Sequence, residues 1–212
     1  MRLPGGNVGE LFLICRQMAD NSLEKKFEEH LRATVRPAAK HQPRHTGHVV
    51  VIADGSEWCS TVVRSMRVAG NRVTLISEGS EDVRRIAMSN GADYEEVREE
   101  SFLELMDKIE EVGERRGKVE VVIGMWKSDV IDVGVSHFKG SRVEGRAARL
   151  VVCLRDDDKD SEDKIREKGC LEGIAVYGIK LREETEKQAL GRMVRFLTEG
   201  EVVVRSGETL RL

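Results

Sequence analysis

The chain has 212 residues, of which 40% are hydrophobic and 34% charged, a composition typical of a folded globular protein with one or two domains. Its formal net charge of −3 and its 4% aromatic content argue against a nucleic-acid-binding surface, which needs a basic excess and stacking rings. The longest apolar runs, 11–15 and 49–53, fall short of the roughly 20 residues that cross a bilayer. We therefore expect a cytoplasmic protein that reaches a membrane only through a partner.

The N-terminal segment is predicted to lie outside the main domain. Residues 8–36 carry apolar side chains at mostly three- and four-residue steps, which predicts an amphipathic helix. Residues 37–47 contain two prolines and a glycine without apolar periodicity, a pattern typical of a linker. We predict a helix and linker over 1–47, a domain over 48–198, and a short tail or hairpin over 199–212.

From residue 48 onward, short strands rich in β-branched residues alternate with helices. We predict strands at 49–53, 72–77, 92–97, 119–124, 150–154 and 174–177. Most of them are continuously apolar, as in strands that are covered on both faces. Right-handed crossovers then predict an α/β fold, a doubly wound, mostly parallel six-stranded Rossmann-like sheet.

The turn after the first strand is the first candidate site, because ligands of such a sheet bind at the carboxyl ends of its strands. A Gly-x-Gly-x-x-Gly fingerprint keeps only its middle glycine, Gly55, while Ala53 and Trp58 replace the other two. Glu78 ends the second strand 25 residues after Ala53, where an acidic residue takes ribose hydroxyls. The candidate cofactor-binding residues are Asp54, Gly55, Ser56, Glu57 and Glu78.

The same turn has features that oppose a phosphate. The carboxylates of Asp54 and Glu57 would repel its charge, and Trp58 fills the position where a glycine allows close packing of helix and strand. A solvated turn and a solvated strand end are the alternative interpretation of these residues. The candidate site is therefore compatible with an adenosine-type ligand and unlike a standard dinucleotide site.

An acidic loop offers a second candidate site. Asp156, Asp158, Asp160 and Glu167 stand at positions 1, 3, 5 and 12 of a calcium-binding EF-hand loop. Ser161 replaces the glycine that the loop needs at position 6, and a strand precedes the loop where an EF-hand has a helix. We interpret the carboxylates as a solvated loop at a helix start, with weak cation binding as the alternative.

Two further patterns favour structural roles. His41, His45 and His48 are spaced like metal ligands, but Pro43 breaks the helix that would place them on one face. The four cysteines lie far apart without a C-x-x-C pair, which predicts buried free thiols. Arg142, Arg146 and Arg149 form a local basic patch that could meet a phosphate or pair with the acidic loop.

Several phrases of the chain resemble the potassium-conductance regulator (RCK) domains, also called the TrkA N-terminal family. They are the strand entry at 48–52, Gly55-Ser-Glu in the first turn, 73–78 with the helix from Asp82, 89–94, 121–124, 149–155 and 168–174. The resemblance implies a ligand-sensing Rossmann domain that gates a potassium channel or transporter by a population shift, without chemistry. It also implies NAD(H), ATP or ADP, or Ca²⁺ as ligands, and a channel or transporter subunit as a partner.

Two other functions stay open at this point. The chain could be an NAD(P)- or S-adenosylmethionine-dependent enzyme domain, although no catalytic constellation stands out in the sequence. It could also be a Rossmann-like scaffold that serves in assembly and binds no small molecule.

We also predict a homodimer. A single Rossmann sheet needs only a few helices on each face, so one apolar helix stripe is expected to lack an internal partner and to form an interface. The two stripes are Leu11, Ile14 and Met18 on the first helix, and Leu190, Met193, Val194 and Leu197 on the last.

Overall fold

The computed structural model describes residues 47–99, 101–126, 129–139, 148–169, 171, 173–182, 187–199 and 206–212. The strands in these ranges are β1 His48–Ile52, β2 Arg72–Ser77, β3 Asp93–Glu96, β4 Val119–Met125, β5 Ala148–Arg155, β6 Ile174–Leu181 and β7 Glu208–Arg211. The helices are α1 Glu57–Val68, α2 Glu81–Asn90, α3 Phe102–Arg116, α4 Asp129–Lys139, α5 Lys159–Lys168 and α6 Lys187–Glu199. The predicted helix over 8–36 and most of the linker lie outside the described residues.

The described strands form one parallel sheet in the order β3-β2-β1-β4-β5-β6-β7. The predicted doubly wound α/β fold is confirmed, and the described sheet has seven strands where the sequence predicts six. The extra strand, β7, lies in the tail and pairs in parallel with β6, while residues 200–205 of the predicted short tail or hairpin lie outside the described part. Of the four residues of β7 only Leu210 is buried, so the segment lacks the apolar pattern that would predict a strand. The boundaries at 47 and 198 stay predictions.

The core has two layers, one on each face of the sheet. In β1, Val49 and Val51 pack under α1, α2 and α6, while Val50 and Ile52 face α3 and α4. Every residue of β1 is buried, as the continuous apolar run predicts. Within the described segments, none of the helices combines the length and apolar character that a membrane crossing requires.

The apolar stripe of α6 is buried inside the chain. Leu190, Met193, Val194 and Leu197 are at most 1% exposed and pack in the same layer as α1. The Ser65 hydroxyl of α1 donates a hydrogen bond to the Gly191 carbonyl of α6 at 2.7 Å, which joins the two helices. The expectation that a stripe lacks an internal partner is therefore wrong for α6. The homodimer stays a prediction that depends on residues 11–18, outside the described part.

Two cysteines are described, and both are buried free thiols. Burial raises the pKa of the Cys59 thiol to about 12 and raises the pKa of Cys153 as well. Because the thiolate is the reactive form, both side chains are inert at neutral pH. The predicted free thiols are confirmed for these two residues, while Cys15 and Cys170 lie outside the described part.

A buried histidine closes the amino edge of the sheet. His48 is 3% exposed; its Nδ1 donates to the Gly117 carbonyl at 3.0 Å, and its Nε2 accepts from the Thr74 hydroxyl at 2.8 Å. Burial lowers the pKa of His48 below its ordinary value of 6.5, and Arg72 and Arg116 act in the same direction while Asp93 opposes them. His48 is thus a neutral structural group and not a metal ligand.

We expect the stability of the protein to fall as the pH drops below 6.5, partly because of His48. The folded pKa lies below the unfolded value of 6.5, so the unfolded chain takes up the proton first and acid favours unfolding. His48→Asn keeps a donor toward Gly117 and removes this proton, so the pH slope should become shallower by up to about 1.4 kcal/mol per pH unit. Urea unfolding of both proteins between pH 7.5 and 5 measures the slopes.

The variant should keep part of the slope. Burial also lowers the pKa of His137, so this second histidine destabilises the fold in acid in the same way. Equal slopes for the two proteins would contradict the role assigned to His48.

Candidate functional site

At the carboxyl edge of the sheet, the connections that leave β1 and β4 go to opposite faces. The helices that follow β1 and β2 lie on one face, and those that follow β3 and β4 lie on the other. A ligand of an open α/β sheet binds in the crevice that this divergence creates. The turns that end β1, β2 and β4 therefore form the candidate site.

The turn after β1 depends on Gly55. Ala53 N–H donates to the Ile76 carbonyl at 3.0 Å, so pairing with β2 continues up to the turn. Gly55 then takes a φ of +79°, and a Cβ at this position would lie 3.3 Å from Asp82 Cβ and 3.5 Å from Ser80 Oγ. Gly55 thus lies beside the start of α2, and its positive φ is the feature that requires a glycine.

Asp54 and Ser56 together cap α1. The Ser56 hydroxyl accepts a hydrogen bond from Cys59 N–H at 3.2 Å, as expected of an N-cap serine. Asp54 Oδ1 accepts from Ser56 N–H at 3.0 Å and from the Ser56 hydroxyl at 2.8 Å. The exposed Asp54 carboxylate therefore lies at the positive end of the helix dipole.

The first two residues of α1, Glu57 and Trp58, make contacts within the protein. The Glu57 carboxylate forms an ion pair with Lys187 of α6. Trp58 is half-buried and packs against the apolar layer under α1. The position of the third fingerprint glycine is thus filled by a ring that contributes to the core.

The end of β2 is strongly acidic. Glu78 is exposed, and Gly79 follows with a φ of +56° beside the Glu96 carboxylate. The side chains of Glu81 and Asp82 begin α2 next to this turn. The structure therefore places the predicted residues Asp54, Gly55, Ser56 and Glu78 in the turns that follow the neighbouring strands β1 and β2, while Glu57 is paired with Lys187 of α6.

Sequence reasoning missed Trp126 at the end of β4. Its φ of +60° is the one positive value for a non-glycine residue in the described ranges, and its N–H donates to the Cys153 carbonyl at 3.0 Å. The half-buried ring packs in the layer under α1. The position directly after the fourth strand was the available signal, but no residue pattern predicts a left-handed tryptophan.

A buried lysine at the end of β6 was also missed. Lys180 is 2% exposed; its ammonium group lies 2.6 Å from Glu162 Oε2 and donates to the Asp156 carbonyl at 3.2 Å. These contacts tie β6 to α5 and to the loop that follows β5. A lysine inside an apolar strand was the signal for it.

The acidic loop is organised around its own helix. Asp158 caps α5 by accepting from Ser161 N–H at 3.0 Å and from the Ser161 hydroxyl at 2.7 Å. Asp156 lies 3.6 Å from Arg182, and Glu167 lies 2.9 Å from Lys168. No cluster of three metal-ligating side chains occurs among the described residues. The interpretation as a helix-start loop is thus favoured over a calcium site.

The other predicted patterns contribute little to this edge. The Arg149 guanidinium donates to the Thr198 carbonyl of α6, which is a structural contact and not a phosphate site. Arg142, Arg146, His41 and His45 lie outside the described residues.

No protein-family model and no curated protein matches the chain. Solved structures do match its fold. A short chain oxidoreductase from Pseudomonas aeruginosa PAO1 with an atypical catalytic center has a TM-score of 0.65 at 13% identity, covering 78% of this chain and 95% of that one. An actinorhodin polyketide ketoreductase variant with NADPH has a TM-score of 0.64 at 14% identity over 81% and 97%. A short chain dehydrogenase from Mycobacterium smegmatis has a TM-score of 0.63 at 12% identity over 79% and 91%.

These neighbours contradict the resemblance to potassium-conductance regulators and the predicted role in potassium transport. The phrases that carried the resemblance, such as 73–78 and 121–124, are buried parallel strands with their turns. Every doubly wound fold needs such strands, so the phrases indicate the fold without distinguishing its families. ATP, ADP and Ca²⁺ gain no support. The homodimer and the absence of a nucleic-acid partner stay predictions.

The candidate site can be compared with the two parts of a nicotinamide dinucleotide that bind at this edge, the adenosine ribose and the pyrophosphate. Exposed Glu78 at the end of β2 is the residue type that binds the hydroxyls of an adenosine ribose in such folds. The start of α1, where a pyrophosphate binds in such folds, carries the Asp54 carboxylate. The acidic end of β2 is therefore compatible with a ribose, while the carboxylate at the start of α1 opposes a phosphate.

Proposed function

We propose that this chain binds the adenosine half of NAD(H) and serves as a cofactor-binding domain of the oxidoreductase type. The observation that carries the proposal is that β1 and β2 are paired neighbours, so the turn with Gly55 and the turn with Glu78 leave the same edge of the sheet side by side. The fold supports it, because a structural neighbour at 14% identity was solved with NADPH. When bound, the nicotinamide ring of such a cofactor supplies hydride transfer.

Each residue has a defined part in this proposal. The Glu78 carboxylate accepts hydrogen bonds from the two ribose hydroxyls, which fixes the orientation of the sugar. Gly55, with its φ of +79°, gives the turn the backbone conformation that leads from β1 into α1. Ser56 holds the start of α1 in place through its bond to Cys59 N–H.

The charges around Glu78 favour NAD(H) over its 2′-phosphorylated form. Carboxylates of Glu81, Asp82 and Glu96 surround the end of β2. The nearby guanidinium groups are already paired, Arg84 with Glu81 and Glu96, and Arg85 with Asp82. A 2′-phosphate would therefore meet more negative than positive charge at this position.

We expect NADH to bind at least tenfold more tightly than NADPH, about 1.4 kcal/mol of binding free energy. Glu78→Gln should weaken NADH binding about fivefold, because the neutral amide forms weaker hydrogen bonds to the ribose hydroxyls. The same change should narrow the difference between the two cofactors, since it removes one charge that repels the 2′-phosphate. Isothermal titration calorimetry with both cofactors measures these constants.

Glu81→Gln is the matched control for this prediction. Its carboxylate belongs to the same acidic turn and is paired with Arg84, so NADH binding should change less than twofold, a small electrostatic effect at an exposed pair. Equal affinities of the unmodified chain for NADH and NADPH would contradict the role of Glu78.

A scaffold without a small-molecule ligand is the second candidate function. The Asp54 carboxylate at the start of α1 and the core position of Trp58 favour it, since both depart from a dinucleotide site. This candidate requires that adenosine, ADP, NADH and NADPH give no binding heat with protein whose circular dichroism shows the native fold.

A further inference from the structure

We infer that Asp54 determines the ligand specificity of this site, because its carboxylate takes the position at the start of α1 that a ligand phosphate would occupy. The inference rests on the proposed function and names the ligand class more closely. The site accepts the nucleoside part of the cofactor and gains no affinity from the phosphates attached to it.

Two backbone hydrogen-bond donors at the start of α1 are already committed. A phosphate at a helix N-terminus is bound by backbone N–H groups that point along the axis. Here Ser56 N–H donates to Asp54 Oδ1 at 3.0 Å, and Cys59 N–H donates to the Ser56 hydroxyl at 3.2 Å. The Ser56 hydroxyl proton is directed to Asp54 as well, at 2.8 Å. A phosphate bound through these donors would have to displace their internal acceptors.

The charge at this position acts in the same direction. Asp54 is exposed, and no basic side chain among the described residues forms an ion pair with it. Glu57 stands three residues later in the same turn of chain, but its carboxylate is paired with Lys187. Of these two acidic residues, Asp54 is thus the one whose charge would face a phosphate directly.

Adenosine should escape this repulsion. Its ribose would be held by Glu78 at the end of β2, on the neighbouring strand, and it carries no charge to meet Asp54. ADP and NADH place phosphates next to the ribose and toward α1. The difference between adenosine and ADP therefore isolates the contribution of the phosphates.

The test is calorimetric titration of adenosine, ADP and NADH into the full-length chain, Asp54→Asn and Glu57→Gln. The asparagine keeps an oxygen that accepts from Ser56 N–H, so the cap is preserved while the charge is removed. We expect the unmodified chain to bind ADP within about threefold of adenosine. Asp54→Asn should bind ADP and NADH about tenfold more tightly, with adenosine unchanged, and Glu57→Gln should change each ligand by less than about threefold.

Each outcome separates this inference from the proposed function. If the unmodified chain already prefers ADP by about tenfold, or if Asp54→Asn leaves ADP unchanged, Asp54 does not set specificity while nucleotide binding still stands. If Asp54→Asn binds NADH and the unmodified chain does not, the result supports the inference and contradicts NAD(H) as the ligand of the native chain. If no variant binds adenosine, ADP or NADH while circular dichroism shows native folding, both proposals fail.

Discussion

Replacing both Met193 and Leu197 by glutamate is expected to unfold the protein. The two side chains are 1% and 0% exposed and lie in the layer between α6, α1 and the sheet. Each carboxylate would be buried without a partner, which costs several kcal/mol, and two such changes approach the whole free energy of unfolding of about 5–15 kcal/mol. Circular dichroism and urea unfolding of the purified double variant measure the loss.

Gln188→Glu provides the matched control on the same helix. This side chain is exposed, so the free energy of unfolding should change by less than about 0.5 kcal/mol. A folded, soluble Met193→Glu, Leu197→Glu protein would show that α6 does not pack in the core. Self-association is to be measured on the unmodified chain, by sedimentation, because charges cannot be introduced into the apolar stripe of α6 without loss of the fold.

Lys180→Met should lower the free energy of unfolding by about 2–3 kcal/mol. The substitution leaves Glu162 without its cation and the Asp156 carbonyl without a donor. Loss of one partner of a buried ion pair costs about 3–5 kcal/mol, and the 25% exposure of the Glu162 side chain reduces this because water reaches the carboxylate. Urea unfolding with an unchanged m-value measures the difference.

A second substitution separates the ion pair from simple packing. The double variant Lys180→Met, Glu162→Met leaves neither charge of this pair behind. At least half of the free energy of unfolding that Lys180→Met loses should therefore return. If the double variant is as unstable as Lys180→Met alone, the lysine stem rather than the charge pair stabilises this edge. A loss below about 1 kcal/mol for Lys180→Met would show that the pair contributes little.

The candidate site was partly predictable because its residues follow strand ends. In a parallel sheet the carboxyl ends of neighbouring strands lie at the same edge, so Gly55 and Glu78 could be placed near each other from their positions after β1 and β2. Their partners could not be predicted in the same way. The ion pair of Glu57 joins residues 130 positions apart in the chain, and no local pattern connects Glu57 to Lys187.

The family resemblance failed for a related reason. The phrases on which it was based describe buried strands and tight turns, which any doubly wound fold requires. Residues 149–155, for example, form most of β5, and their burial explains their apolar character without reference to a ligand. Function depends on side chains at the strand ends, and those residues differ from any standard fingerprint here.

By itself, the sequence determined the α/β class, the alternation of strands and helices, and the burial of β1 on both faces, because hydrophobic periodicity and turn residues act over a few neighbouring positions. Only the tertiary structure decided that Leu190 and Leu197 face the core, that residues 208–211 add a parallel strand, and that Lys180 is buried against Glu162. Those outcomes depend on which distant segments the sheet brings together. The packing of such segments is a property of the whole fold, and no window of sequence contains it.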